Sequence, residues 1–98
     1  MATFNDIINQ DKPVLIDFHA TWCGPCKALA PIIQRVKKHV GEQATILKID
    51  VDKNQALAER LQIRGVPTLL LYKNGEMKWR QSGVVAESEL VRVIGEHV

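Results

Sequence analysis

No apolar run in this chain approaches the roughly 18 residues that a membrane span needs, so no membrane partner is expected. Charge of one sign is lacking too. Lys and Arg number 13 against 11 Asp and Glu, and a net charge of +2 is too small to point to nucleic acid. The basic stretch "RVKKH" (35–39) mixes its cations with apolar residues at helical spacing and reads as a solvated helix face. There is no internal repeat, no low-complexity segment and no linker, and 98 residues leave no room for a second core. One domain over residues 1–98, expected to act as a monomer, follows. The opening "MATFNDIINQDK" carries acids rather than the basic-then-apolar pattern of a signal peptide, which makes a reducing cytoplasm the expected location. Cysteine is scarce: Cys23 and Cys26 are the only two. In a reducing compartment such a pair is expected to be catalytic or metal-binding rather than a permanent cross-link.

What is present has the composition of an ordinary globule, 46% hydrophobic and 24% charged. Phe4, Ile7 and Ile8 recur at helical spacing behind Thr3, a suitable cap, and predict a short helix. Pro13 introduces "VLIDFH" (14–19), an apolar, β-rich run expected to be a strand buried on both faces. From Pro25, the stripe Leu29, Ile32, Ile33, Val36 and Val40 predicts a long helix that ends before Gly41, with Pro31 expected to kink it. "ATILKIDV" (44–51) reads as a second strand, and Asn54 as the cap of a short helix carrying Leu57 and Leu61. In "VPTLLLYKNGEMKWRQSG" (66–83), two strand-like runs flank Asn74-Gly75, the dipeptide favoured by a type I′ hairpin turn. A last helix is expected from about Glu87 to the end, with Leu90, Val91, Ile94 and Val98 on one face. The first two strands, joined through a helix, should be parallel with a right-handed crossover, and the final hairpin must be antiparallel. The expected fold is α/β, a mixed four-stranded sheet with helices on both faces.

"WCGPC" has three chemical readings: a staple, half of a metal site, or a redox dithiol. A cross-link closing about four residues stabilises by roughly 2 kcal/mol, against about 4.7 for a loop of 100, so a staple would not be placed here. A metal site lacks ligands. Only His19 is near in sequence, while His39 lies at the far end of the long helix and His97 at the C-terminus. The redox reading gains from Pro25. Proline is accepted in the first turn of a helix, which puts Cys23 at the helix N-terminus and Cys26 one turn in. Backbone N–H groups and the helix dipole then favour a thiolate at Cys23, the expected nucleophile. Cys26, expected to be the more buried, is placed to resolve the mixed disulfide.

"DFHATWCGPCK", then "GVPT" and the "KNGE" hairpin, resemble the thioredoxin family in the right order over essentially the whole chain. The resemblance implies a protein-disulfide reductase with no metal or organic cofactor beyond the Cys23–Cys26 disulfide. Its electrons would come from a thioredoxin reductase and pass to oxidised proteins. It also implies that the N-terminal edge strand of many members is missing, since only "MAT" precedes the first helix. Two alternatives use the same fold: a disulfide oxidase or isomerase, differing in reduction potential, and an interaction module whose dithiol is incidental. Gly24 and Pro25 between the cysteines resemble the reducing members.

Other residues acquire roles on the same footing. Asp17 shares a strand face with Leu15 and His19, and is either an acid reaching water at the sheet rim or a buried group exchanging a proton with Cys26. The resemblance, which has a buried acid at the matching position, favours the second. Lys48 is either a snorkelling lysine or the cation that tunes Asp17 across adjacent strands. For Pro67 the resemblance implies a cis bond after Val66, whose backbone groups would then pair with an extended substrate. Trp22 is expected in an apolar docking surface, and Gly83 is either a turn glycine or the family's small residue beside that surface. His19 stands where thioredoxins commonly have a second tryptophan, and is either a packing substitution or a group titrating near the Cys23 thiolate.

Overall fold

The computed structural model describes residues 2–98. Helix α1 (Phe4–Ile8) has five residues, too few to persist alone. A reciprocal pair of bonds starts it: Thr3 Oγ1 accepts the Asp6 N–H, and Asp6 Oδ2 accepts the Thr3 N–H. Phe4 then meets Tyr72 edge-on at 5.7 Å between ring centroids. Strands β1 (Val14–His19), β2 (Thr45–Asp50), β3 (Thr68–Lys73) and β4 (Glu76–Ser82) form one sheet in the order β2-β1-β3-β4. β1 and β2 are parallel, and the other two pairs are antiparallel. This is the expected mixed four-stranded sheet.

Alternation along β1 builds two cores at once. Leu15 joins Leu69 and Leu71 under α2 (Gly24–Val40) and α4 (Glu87–Gly95), against Leu29, Ile33 and Leu90. Val14, Ile16 and Phe18 join Leu70 and Tyr72 on the opposite face, covered by Ile8 of α1 and by Leu57 and Leu61 at α3 (Gln55–Arg60). Every residue of β1 before His19 is buried. Asp17 lies on the Leu15 face, the one that α2 covers.

Helix α2 is 17 residues long, about 25 Å at the usual rise. It continues through Pro31 and ends where Gly41 takes φ +55°, with Lys37, Lys38 and His39 in its last turn offsetting the dipole. Asn74 and Gly75 have φ of +53° and +80°, as the hairpin turn requires. Their N–H groups bond to Gln10 and Ile8 carbonyls, tying the turn to the end of α1.

The structure corrects the face of α4. Val93, not Val91, is buried with Leu90 and Ile94, because the i, i+3, i+4 phase points 90, 93 and 94 at the sheet. Val98 lies beyond the helix and is 60% exposed.

Phe18 is fully buried one residue before the end of β1. Phe18→Ala is expected to cost about 3–5 kcal/mol and Phe18→Leu about 1, read as shifts in a urea midpoint at constant slope. An alanine variant within about 1 kcal/mol of the parent would mean that this face is not close-packed.

Candidate active site

Beyond His19 the chain turns within three residues into α2, and Cys23 becomes the N-cap. Its backbone is extended, at φ −90° and ψ 115°, while its Sγ accepts the Cys26 N–H at 3.1 Å. Sulfur thus takes the place of a capping oxygen. Pro25 lies in the first turn, where no N–H is needed. Gly24 has open space around it, with no atom within 4 Å of where a Cβ would stand. Cys23 and Cys26 form a disulfide with Cα atoms 5.3 Å apart. The expected contrast in burial is absent: Cys23 is 3% exposed and Cys26 6%. Ala20, Val51 and Val66 pack around the pair and cover Cys23 as fully as its partner.

One rim of the site is largely backbone. The Val66 carbonyl oxygen lies 3.5 Å from Cys23 Sγ, and the Val66–Pro67 bond is cis. Gly83, at φ +95°, donates its N–H to the Pro67 carbonyl at 2.8 Å, which brings it beside the cis-proline. Trp22 is 69% exposed, with Nε1 donating to Asp52 Oδ2 at 2.8 Å. Together Trp22, Val51, Ile63, Arg64, Gly65 and Val66 line a cleft of about 130 Å³.

Three supporting side chains were not singled out from sequence. Asp52 fixes the indole. Thr68 Oγ1, fully buried, donates to the Gly65 carbonyl at 2.6 Å and lies 2.9 Å from Ser82 Oγ. Arg80 donates to the Leu61 and Gln62 carbonyls, both at 2.7 Å, where Gln62 takes a positive φ of +56°. Thr68 and Arg80 so hold the two ends of the loop that carries Val66. An acid two residues beyond a strand end was the one available sign of Asp52.

Asp17 is 1% exposed, and neither carboxylate oxygen has a hydrogen-bond partner. Burial pushes its pKa above the ordinary carboxylate value, and the charges of His19 and Lys48 pull the other way with less effect. Lys48 stands opposite Asp17 in the β1–β2 register, as expected, yet its side chain runs out to solvent and makes no ion pair. His19 lies on the Cys26 side, lining a second cleft of about 140 Å³ with Cys26, Lys27 and Lys48. It is not beside Val66. Among the described residues no three His, Cys, Asp or Glu side chains converge as a metal site, and no helix is long and apolar enough to cross a membrane. A larger surface cavity, about 640 Å³, lies elsewhere. It is bounded by His39, Val91 and Arg92, and His39 is about 20 Å along α2 from Cys26.

A paired cysteine capping the helix that follows a buried strand, with a cis-proline loop against its sulfur, defines a thiol–disulfide oxidoreductase. The thioredoxin sequence profile matches residues 1–96, and the chain belongs to the thioredoxin family. It is 47% identical over 92 residues to a thioredoxin-like protein of Synechocystis, covering 93% of this chain and 88% of that one. It is 39% identical over 92 residues to a thioredoxin of Haemophilus influenzae, covering 94% and 86%. A mutant thioredoxin of Halobacterium salinarum superposes with a TM-score of 0.85 at 40% identity, over 95% of this chain and 80% of that one. A Mycobacterium leprae protein named bifunctional thioredoxin reductase/thioredoxin is 38% identical over 95 residues, 97% of this chain and 21% of its own length. The redox group is the disulfide itself, and the activity is thiol–disulfide exchange.

The raised pKa of Asp17 has a consequence for stability. Folded protein holds this proton to higher pH than the unfolded chain does, so between the two pKa values the folded state binds more protons and stability falls as pH rises. Asp17→Asn removes that loss. The variant is expected to match the parent at about pH 3.5 and to gain on it from about pH 4 upward, levelling off above the folded pKa. Urea unfolding of the oxidised forms across pH checks this, and a constant difference would mean that Asp17 is not buried as a carboxyl.

Proposed function

We propose that the protein reduces disulfides of other proteins, with Cys23 as the attacking thiolate and Cys26 as the resolving thiol. The capping geometry carries this reading. An N–H aimed at Cys23 Sγ from the first turn of α2, with the helix dipole behind it, stabilises negative charge on that sulfur. Cys26 is already one turn inside the helix, at bonding distance from Cys23. Asp17 takes the Cys26 proton during resolution. Its unpartnered buried carboxyl, on the face of β1 that α2 covers, supports the assignment. Lys48 acts on Asp17 through space rather than by contact, holding its pKa below the value burial alone would set.

Substrate docks on the opposite rim. Trp22 presents an exposed indole, and the backbone of Val66 offers strand-like pairing next to Cys23, with Pro67 and Gly83 forming the floor. Gly24, with no side chain and open space beside it, and the exposed ring of Pro25 keep this end of the helix open to an approaching disulfide. A thioredoxin reductase supplies the electrons, which the fusion of the two activities in the Mycobacterium leprae protein's name supports. The protein works as a monomeric single domain in the cytoplasm, where such a reductant is available. A rice relative, 38% identical over 94 residues and named chloroplastic, makes cell fractionation the check on location.

Cys23→Ser is expected to abolish reduction of insulin by a dithiol donor, because no nucleophile remains. Cys26→Ser is expected to attack and stall as a mixed disulfide visible on non-reducing gels. Equal trapping by both variants would reverse the assignment. In glutathione buffer at about −220 to −260 mV the wild-type disulfide is expected to persist in a major fraction. Complete reduction there would instead mark an oxidase.

A further inference from the structure

The two cysteines of the disulfide meet different surroundings. Cys23 lies against Val66 on the docking rim, whereas Cys26 lines a second cleft with His19, Lys27 and Lys48. That second cleft, about 140 Å³, has room for a few waters at about 30 Å³ each. Asp17 has no opening of its own to solvent, being 1% exposed and without a partner. His19 is two residues further along the same face of β1, which sets the two Cα atoms about 6.6 Å apart. It is half-buried, with the cleft on one side and the end of the sheet on the other.

The charged and titratable groups facing His19 come from three elements. Asp17 precedes it on β1, Lys48 and Asp50 stand on β2 with Asp50 directly opposite, and Cys26 and Lys27 come from α2. Lysines hold their protons too tightly to accept one at neutral pH. Asp50 Oδ1 is engaged by the N–H groups of Asp52 and Lys53. Imidazole is the one group here with two ring nitrogens, so that it can take a proton at one and release it from the other.

We propose that His19 relays to solvent the proton that Cys26 gives up during resolution, acting through Asp17. This rests on the reading of Cys26 as the resolving thiol. In the step, Cys26 Sγ passes its proton to Asp17, and the electron pair left on sulfur forms the Cys23–Cys26 bond. The bond between Cys23 and the substrate sulfur breaks, and the substrate leaves as a thiolate that takes a proton from bulk water. The proton on Asp17 passes to His19, two residues along the same strand face, and leaves from there into the water of the cleft that His19 lines. The protein dithiol is oxidised, the substrate disulfide is reduced, and protons balance. His19 is a positioning residue for that proton and touches no substrate.

Stopped-flow reaction of the reduced protein with dithiobis-nitrobenzoate separates the steps, since one coloured thiolate is released when Cys23 attacks and a second when Cys26 resolves. His19→Gln is expected to leave the first release unchanged and to slow the second by about 10-fold near neutrality, flattening its pH profile between about pH 5.5 and 8. Free imidazole is expected to restore the second release in the variant and to leave the wild type unaffected. A second release with the wild-type pH profile overturns the relay, as does one slowed together with the first and indifferent to imidazole. Two further variants separate this failure from that of the underlying reading. Normal second release in Cys26→Ser overturns the resolving thiol and the relay together. Slow release in Asp17→Asn beside normal release in His19→Gln overturns the relay alone.

Discussion

A sulfur atom sits where an N-cap oxygen normally would, and much of the structure serves to keep it there. Cys23 Sγ accepts the Cys26 N–H only while the chain is extended at residue 23 and helical from residue 24. That abrupt change needs both sides held. On one side β1 is buried on both faces, so its end cannot drift. On the other, Leu29, Ile33 and Val36 anchor α2 against the sheet over several turns. Pro25 adds a pre-set φ at a place where its missing N–H costs nothing. The redox centre is therefore a property of a rigid junction more than of a flexible loop.

Asp17 is the expense of that arrangement. A carboxyl with no hydrogen-bond partner in the second-to-last pair of a central strand opposes folding whenever it is charged. Lys48 faces it in register and could in principle have relieved the cost, but a direct ion pair would hold the carboxyl ionised and lower its affinity for a proton. By running out to solvent, Lys48 leaves Asp17 with the raised pKa that a proton acceptor for a thiol requires. Stability is given up where the proposed chemistry needs it.

The elements were legible because each has its own local signal. Asn74-Gly75 fixes the hairpin by its positive φ angles, Thr3 and Gly41 bracket helices, and mostly apolar runs mark the central strands. The cysteine pair was legible because Pro25 ties it to a helix start. What failed depends on tertiary partners. Burial of Cys23 comes from Val51 and Val66, more than twenty-five residues away in sequence. The phase of α4 is set by the surface it packs on, and with Val91 and Val93 both apolar the sequence did not distinguish them. Thr68 and Arg80 act through carbonyls of Gly65, Leu61 and Gln62, and backbone acceptors leave no trace in side-chain pattern.

The two sides of the disulfide are built from different material, and this has a consequence for variation. The proposed docking rim rests on backbone, with the Val66 carbonyl at Cys23 and the Gly83 N–H on the Pro67 carbonyl. Main-chain groups present the same donors and acceptors whatever side chains surround them, which suits a surface that must accept many extended partners. The opposite cleft is built from side chains, His19, Lys27 and Lys48 around Cys26. Each residue there changes charge or proton affinity directly. Where the resemblance implies tryptophan, His19 therefore falls on the side proposed to move protons and not on the side proposed to dock substrate. Its position, on the Asp17 face and lining a cleft that Val66 does not share, keeps those two proposed roles apart.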